Sequence, residues 1–425
     1  MENRTDWSAS SKPLVGRRIC VIVTGGVPHP TRGASTVLYF QYIDAMLAAG
    51  AMIQCVLIGA NEDADSPEPR ALRQAVCRPD QLEIITCARR DVLRTNRFSL
   101  TDDSQQVAMD IRVAVSAFRP DAQVCFDLSA AAIGRHLDAT RRLAWLGDLR
   151  FQTVWYHSWY NVAERPYRAH ELIYAVLHCH LWRRIYAAVL RDFDEILVAS
   201  HSSIVELERI NLRSNYAPYP WPPLPPTART ASLPSRPTFL FFGNLVGLGS
   251  RSSLHMLIRH ILPRLRRIWG AGGFEVRIAG REIPDAHHRR LLAAVPEVVF
   301  LGFVEDLAAE IGRAHAVLAP ISVPVGNRSR ILTALSVGAP VIAHCNAALG
   351  NPDLLDGQTC FLASDANTFV RHMRAAVEDP ATAAAVGARG RAMYERCFAP
   401  AAATTQFIDL LLDSSEHTSK LERQQ

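Results

Sequence analysis

Short apolar runs alternate with longer stretches of helical period along most of the chain. Residues 18–23 (RICVIV) form the first run, followed by a Gly/Pro loop at 24–34 (TGGVPHPTRGA) and a helical stretch through Tyr39 and Leu47 to Gly50. Residues 52–58 return as a second run, and others stand at 82–86, 122–126, 143–146 and 195–199. Strand-length runs separated by helix-length segments are the arrangement that generates parallel sheets covered by helices. The pattern predicts an α/β fold.

Between residues 215 and 237 the chain turns proline-rich (NYAPYPWPPLPPTARTASLPSRP), a composition that holds neither a helix nor a central strand and suits an extended linker. Beyond it the alternation resumes with runs at 239–242 (FLFF), 274–279, 298–300, 316–319, 341–344 and 359–362. Two tandem Rossmann-like domains are expected. The division is a disordered tail at 1–15, an N-terminal domain at 16–214, a linker at 215–237, a C-terminal domain at 238–398, and a closing helix with a polar tail at 399–425.

Composition narrows the class. The 425 residues are 49% hydrophobic and 20% charged, the balance of a globular protein, and their number favours two cores over one. The net charge of +5 is mild and its arginines are scattered, with no RNA-recognition strand or zinc-finger spacing, so nucleic acid is not expected as a partner. Nine cysteines without a CxxC pair read as reduced thiols. The first 14 residues lack the apolar core of a signal peptide, and no run of about 18 apolar residues could cross a bilayer. A cytoplasmic protein is expected.

The segment 324–343 (PVGNRSRILTALSVGAPVIA) is the richest in chemistry. Gly326 precedes a basic helix start, where free backbone N–H groups, the helix dipole, Arg328 and Arg330 together suit a diphosphate. An ordinary loop-to-helix joint with solvent-facing arginines fits the same letters. In the first half, Gly25, Gly26 and Gly33 mark a loop whose backbone can approach a ligand closely. It lacks the GK[ST] ending of a P-loop, which argues against an ATPase or GTPase. Asp148 follows the run at 143–146, and His157 lies in an aromatic cluster, WYHSWY, able to stack on a ligand or simply to pack. His178-Cys179-His180 invites a metal, but i and i+2 side chains diverge on a helix, so no metal is expected there. The same helix carries Arg183, Arg184 and Arg191, which fits a peripheral membrane contact or a solvated basic face.

The order of FFGNL (241–245), FEVRIAG (274–280), VVFLGFVEDL (298–307), VLAPISVP (317–324), RILTALSVGAPVIA (330–343) and Gly357 resembles the group-one (family-four) glycosyltransferases of the GT-B fold. The likeness covers essentially the whole second half and, more loosely, RICVIVTGGVPHPTRGAS, WLGDLRFQTVWYH and ILVASHSSIVEL in the first. It implies that the two Rossmann-like domains face a cleft, and it implies retaining transfer from a nucleotide-diphosphate sugar held by the second domain, without cofactor or obligatory metal. A glycan, lipid-linked or small-molecule/peptide acceptor would be held by the first.

Arg330 stands where the family places a phosphate-binding Lys, Asn244 where it places an Arg, and Arg251 is expected to take over that charge. The donor set so implied is Gly243, Asn244, Arg251, Gly280, Arg281, Gly326, Asn327, Arg328, Ser329, Arg330 and Thr333, with Gly25, Gly26 and Gly33 from the first domain. Asp148 and His157 are the catalytic candidates. Val325 and Thr333 occupy the positions of two family glutamates, and Thr333 offers ribose only a hydroxyl. This departure keeps open two alternatives: a catalytically silent sugar-nucleotide or glycan-binding scaffold, and a nucleotide-sugar epimerase.

Overall fold

The fold follows from where the apolar runs are buried. A computed structural model describes residues 12–59, 66–88, 92–95, 99–225, 233–281, 286–326 and 328–412. The chain divides into two units, one of residues 1–158, 165–221 and 400–425, the other of residues 159–164 and 222–399.

In the first unit, β1 (Arg18–Thr24), β2 (Met52–Ile58), β3 (Leu82–Cys87), β6 (Ala122–Phe126), β7 (Arg141–Leu146), β8 (Glu195–Val198) and β9 (Asn215–Tyr216) form one sheet. Its order is β3-β2-β1-β6-β7-β8-β9 and every pairing is parallel. β4 (Leu93–Thr95) and β5 (Leu100–Asp102) pair separately as a small antiparallel ribbon. Ile19 to Val23 are all buried, as a strand covered on both faces must be. β1 registers Val21 against Cys55 and Ile22 against Cys125, so chain order reverses between β1 and β6, the kind of switch point where open α/β sheets bind ligands.

The helix Pro400–Leu412 belongs to this unit: the Phe407 and Tyr42 ring centroids lie 4.4 Å apart, and Arg141 Nη2 donates to the Leu410 carbonyl at 2.8 Å. The proline-rich stretch contributes β9 at its start. An extended backbone can pair at a sheet edge even where a central strand is forbidden. Its residues 226–232 lie outside the described residues, as do most of the two predicted polar ends.

In the second unit, β10 (Thr238–Phe242), β11 (Glu275–Ala279), β12 (Val298–Gly302), β13 (Ala316–Ala319), β14 (Val341–His344) and β15 (Phe361–Ala363) form a parallel sheet of order β12-β11-β10-β13-β14-β15. Phe239, Phe241, Phe274 and Phe369 fill its core. Buried Glu297, just before β12, accepts from Arg266 Nη2 at 2.7 Å and from the Gly272 N–H at 2.9 Å, and these bonds hold its carboxyl down to about 2.

All nine cysteines are unbridged. Among the described residues no helix is long and apolar enough to cross a membrane, and no group of His, Cys, Asp and Glu could hold a metal.

Candidate functional site

Two glycines at the C-terminal ends of β10 and β11 make room for a site in the second unit. Gly243 has φ +128°, and a Cβ there would stand 2.8 Å from Nη2 of Arg330. A Cβ on Gly280 would stand 2.6 Å from the Gly243 carbonyl oxygen. Backbone bonds fix both turns: the Gly243 N–H donates to Ala279 at 3.0 Å and the Gly280 N–H to Gly302 at 2.8 Å. A cavity of about 560 Å³ opens beside them, lined by Gly243, Asn244, Gly280, Arg281 and Phe303 among others. Phe303 is 66% exposed, with the Arg281 guanidinium 5.2 Å from its ring centroid. A flat aromatic face in water beside a cavity is a stacking platform.

Arg330, on the helix Ser329–Ser336, stands against Gly243, a lining residue, without itself lining the cavity. Its guanidinium lies 4.3 Å over the Phe241 ring and donates through Nη2 to Ser250 Oγ at 2.7 Å. Ser250 in turn donates to the Asn244 carbonyl at 2.5 Å. The Arg330 Nε and Nη1 atoms are buried and have no hydrogen-bond partner among the described residues. Burial first, and the neighbouring charge of Arg328 second, pull its pKa down to about 9. A desolvated cation with two unused donors calls for an anion.

The other predicted donor residues divide by what they touch. Arg328 is 2% exposed and donates to the carbonyls of Val325 at 2.6 Å and Val323 at 2.7 Å, so it braces its own loop, which turns at Gly326 (φ +97°). Its charge, after burial, also lowers the pKa of His344. Arg251, on the helix Leu248–Met256, donates to Asn161 Oδ1 at 3.2 Å. Thr333 is buried and gives its hydroxyl proton to the Ser329 carbonyl at 2.9 Å. Asn244 accepts the Val246 N–H at 3.1 Å. Asn327 lies outside the described residues. Sequence reasoning missed Ser250 and Phe303; Ser250 lay within GLGSRSS, beside the expected phosphate residues, where only a three-dimensional partner singles it out.

In the first unit, Gly25 (φ +85°), Gly26 (φ +134°) and Gly33 (φ +75°) do form the loop after β1. His29 organises it by accepting the N–H groups of Thr31 and Arg32, each at 3.1 Å, and burial followed by the Arg32 charge lowers its pKa. Asp148 is exposed in the turn after β7, and His157 is half-buried on the helix Arg150–Glu164. Cys179, from the set-aside metal motif, donates to the Phe151 carbonyl at 3.1 Å.

Beside Asp148 stands a carboxylate that the sequence reading passed over. Asp127 opens the helix Asp127–Gly134 at the end of β6 with φ +72°, a conformation that Asp tolerates better than most side chains. It accepts the Tyr39 hydroxyl and, at 3.1 Å, the Gly147 N–H. Burial raises its pKa, against the opposing pull of Tyr39, Gly147 and Arg150. A polar residue ending the buried run 122–126 was the available signal.

Residues 236–379 match the family described as glycosyl transferases group 1. Among solved structures, a sucrose-phosphate synthase from Thermosynechococcus elongatus superposes with TM-score 0.66 at 17% identity, over 93% of this chain and 98% of that one. HepE of Anabaena, in complex with UDP and glucose, gives 0.62 at 13% over 93% and 99%. A glycosyltransferase from Rickettsia africae gives 0.65 at 10% over 94% and 99%. No curated protein matches the chain by sequence. Identities this low carry the fold, and the family match supports glycosyl transfer as the class of activity. The second unit thus carries a group 1 glycosyltransferase domain, within a chain of GT-B fold.

Proposed function

We propose that the protein is a retaining, metal-independent glycosyltransferase. It takes a sugar from a nucleotide-diphosphate donor and passes it to a glycan, lipid-linked or small-molecule/peptide acceptor, on the cytoplasmic side, in polysaccharide assembly. The observation that carries the reading is Arg330, with buried, unused donors, packed against Gly243 at the wall of a cavity of about 560 Å³, within the range of ligand pockets. A planar guanidinium pairs well with diphosphate oxygens, Phe303 offers the base a face, and the same charge steadies the diphosphate as it departs. A solved neighbour holds UDP and glucose, in keeping with this class of donor.

Thermal unfolding against UDP-, GDP-, dTDP- and ADP-sugars tests it, since a ligand of the native state raises its melting temperature. One nucleotide class is expected to shift the wild type. Arg330→Ala is expected to weaken that binding by about 1.5–3 kcal/mol, the worth of hydrogen bonds to a charged group. Unchanged donor affinity in the folded variant would remove the phosphate site from Arg330. A second reading, a silent sugar-nucleotide-binding scaffold, draws on Thr333, whose hydroxyl proton is already given to its own helix. Binding without nucleotide release in the presence of any acceptor class would favour it.

A further inference from the structure

A second cavity, of about 330 Å³, lies within the first unit among the helices Arg150–Glu164, His170–Leu190 and Ser202–Glu208. Phe151, Trp155, Tyr156 and Val176 supply most of the apolar wall, and Gln152, Arg183 and Glu206 the polar part of its lining. Its size is at the low end for ligand pockets, too small for a sugar nucleotide and fitting for a hydrocarbon segment. Along its aromatic side the hollow offers water few polar partners.

The polar side is charged and unbalanced. Arg183 Nη2 stands 3.4 Å from Glu206 Oε2, while the other Glu206 oxygen accepts from Arg209, so two guanidinium groups share one carboxylate. Arg183 also lies 5.1 Å over the Phe151 ring, and its Nε is buried with no hydrogen-bond partner among the described residues. A positive end above aromatic walls describes the complement of an amphiphile with an acidic head. Val176, a wall residue, is 56% exposed, and on the same helix face Ile173 is 67% and Leu177 43% exposed. The cavity therefore adjoins an apolar stripe that water leaves uncovered.

We propose that this cavity binds the alkyl chain of an anionic lipid, with its acidic head at Arg183. The chain is gripped by Phe151, Trp155, Tyr156 and Val176, and the head supplies the anion that offsets the excess positive charge. The site is separate from Arg330 and does not depend on glycosyl transfer, so each can fail without the other.

Trp155 reports occupancy directly. Dodecyl phosphate brominated along its chain is expected to quench the fluorescence of the full-length protein, and Trp155→Phe to lose most of that quenching. Dodecyl phosphate is expected to displace the brominated probe, whereas inorganic phosphate, which lacks the chain and its apolar burial, and an uncharged alkyl glucoside, which lacks the charged hydrogen bond, are each expected to do so at least about tenfold less well. Val176→Trp, at an exposed position, is expected to block entry. Arg183→Gln is expected to weaken binding about tenfold while Arg183→Lys keeps most of it, with melting temperatures showing that each variant is folded. Flotation with phosphatidylglycerol vesicles, against phosphatidylcholine, separates the sources: co-flotation lost in Val176→Trp points to lipid drawn from a bilayer, and binding of the free amphiphile alone to a soluble one. Quenching that survives in Trp155→Phe, or affinity indifferent to both Val176→Trp and Arg183→Gln, would overturn the proposal.

Discussion

The two sheets each end in a glycine-bearing loop, and the glycines are there for different reasons. After β10, the space a Cβ would take at Gly243 is occupied by the Arg330 guanidinium, and the space at Gly280 by the Gly243 carbonyl and the Leu245 side chain. After β1, a Cβ on Gly25 would meet nothing within 4 Å, so only its φ of +85° asks for glycine. The first loop is crowded by a charged side chain at Gly243; in the second only Gly25 is open, while Gly33 and Gly26 lie against the Thr36 side chain. The charges differ likewise: Arg330 keeps donors unused, whereas both oxygens of Asp127 already accept hydrogen bonds. A site awaiting an anion leaves such a signature, and a braced loop does not.

Gly243→Ala tests the crowded side and carries the largest expected effect. The new methyl meets Arg330 and the backbone is held at φ +128°, a region costing a side-chain-bearing residue about 1–3 kcal/mol. Moving Arg330 also breaks its bond to Ser250, so a total loss of about 2–4 kcal/mol in stability is expected, with nucleotide affinity reduced at least about tenfold. Chemical denaturation and a nucleotide titration read the two separately. A variant that loses stability but binds nucleotide normally would show that Gly243 does not position Arg330 for a ligand.

Gly25→Ala is the matched test of the open side. With no neighbour to displace, the cost is the left-handed conformation alone, about 1–2 kcal/mol, and donor affinity should stay within about twofold. If Gly25→Ala weakened nucleotide binding as much as Gly243→Ala, the contrast between the loops would collapse, and the loop after β1 would be part of the donor site.

How much of this was legible in the sequence follows the same division. Strand runs such as 52–58, 122–126, 316–319 and 341–344 coincide with β2, β6, β13 and β14 because burial on both faces leaves an unbroken apolar signal. β4 and β5 escaped notice, being three residues each with partly polar faces, and β9 was hidden in proline-rich chain. Arg330 was readable from its place at a helix start after a glycine. The separate employment of Arg328 was not, since both arginines have the same letter and lie two positions apart, and only the loop's path turns the carbonyls of Val323 and Val325 toward Arg328. Beyond its place after the buried run 122–126, nothing marked Asp127, for a related reason. Its partners Tyr39 and Gly147 are far away in sequence, and the residue that drew attention, Asp148, is the exposed one.

Asp127→Asn carries the smallest expected effect and sharpens the comparison from the first unit's side. Asn keeps an acceptor for the Gly147 N–H, tolerates φ +72° and can donate to the Tyr39 oxygen, so the change in stability should not exceed about 1 kcal/mol, the worth of one neutral hydrogen bond. Its pH dependence is informative. Burial raises the Asp127 pKa above that of an unfolded aspartate, so between the two values the folded state binds more protons, and this group's contribution to stability falls as the pH rises through that interval. Asn carries no such cost. Relative to wild type, the variant should therefore be more stable at pH 7 than at pH 4, read as the difference between their melting temperatures at each pH. A difference that stays constant between the two would mean that the folded carboxyl titrates like an unfolded one. A difference that runs the other way would mean that the Tyr39, Gly147 and Arg150 interactions outweigh burial, and that Asp127 is held as a carboxylate in the first unit much as Glu297 is held in the second.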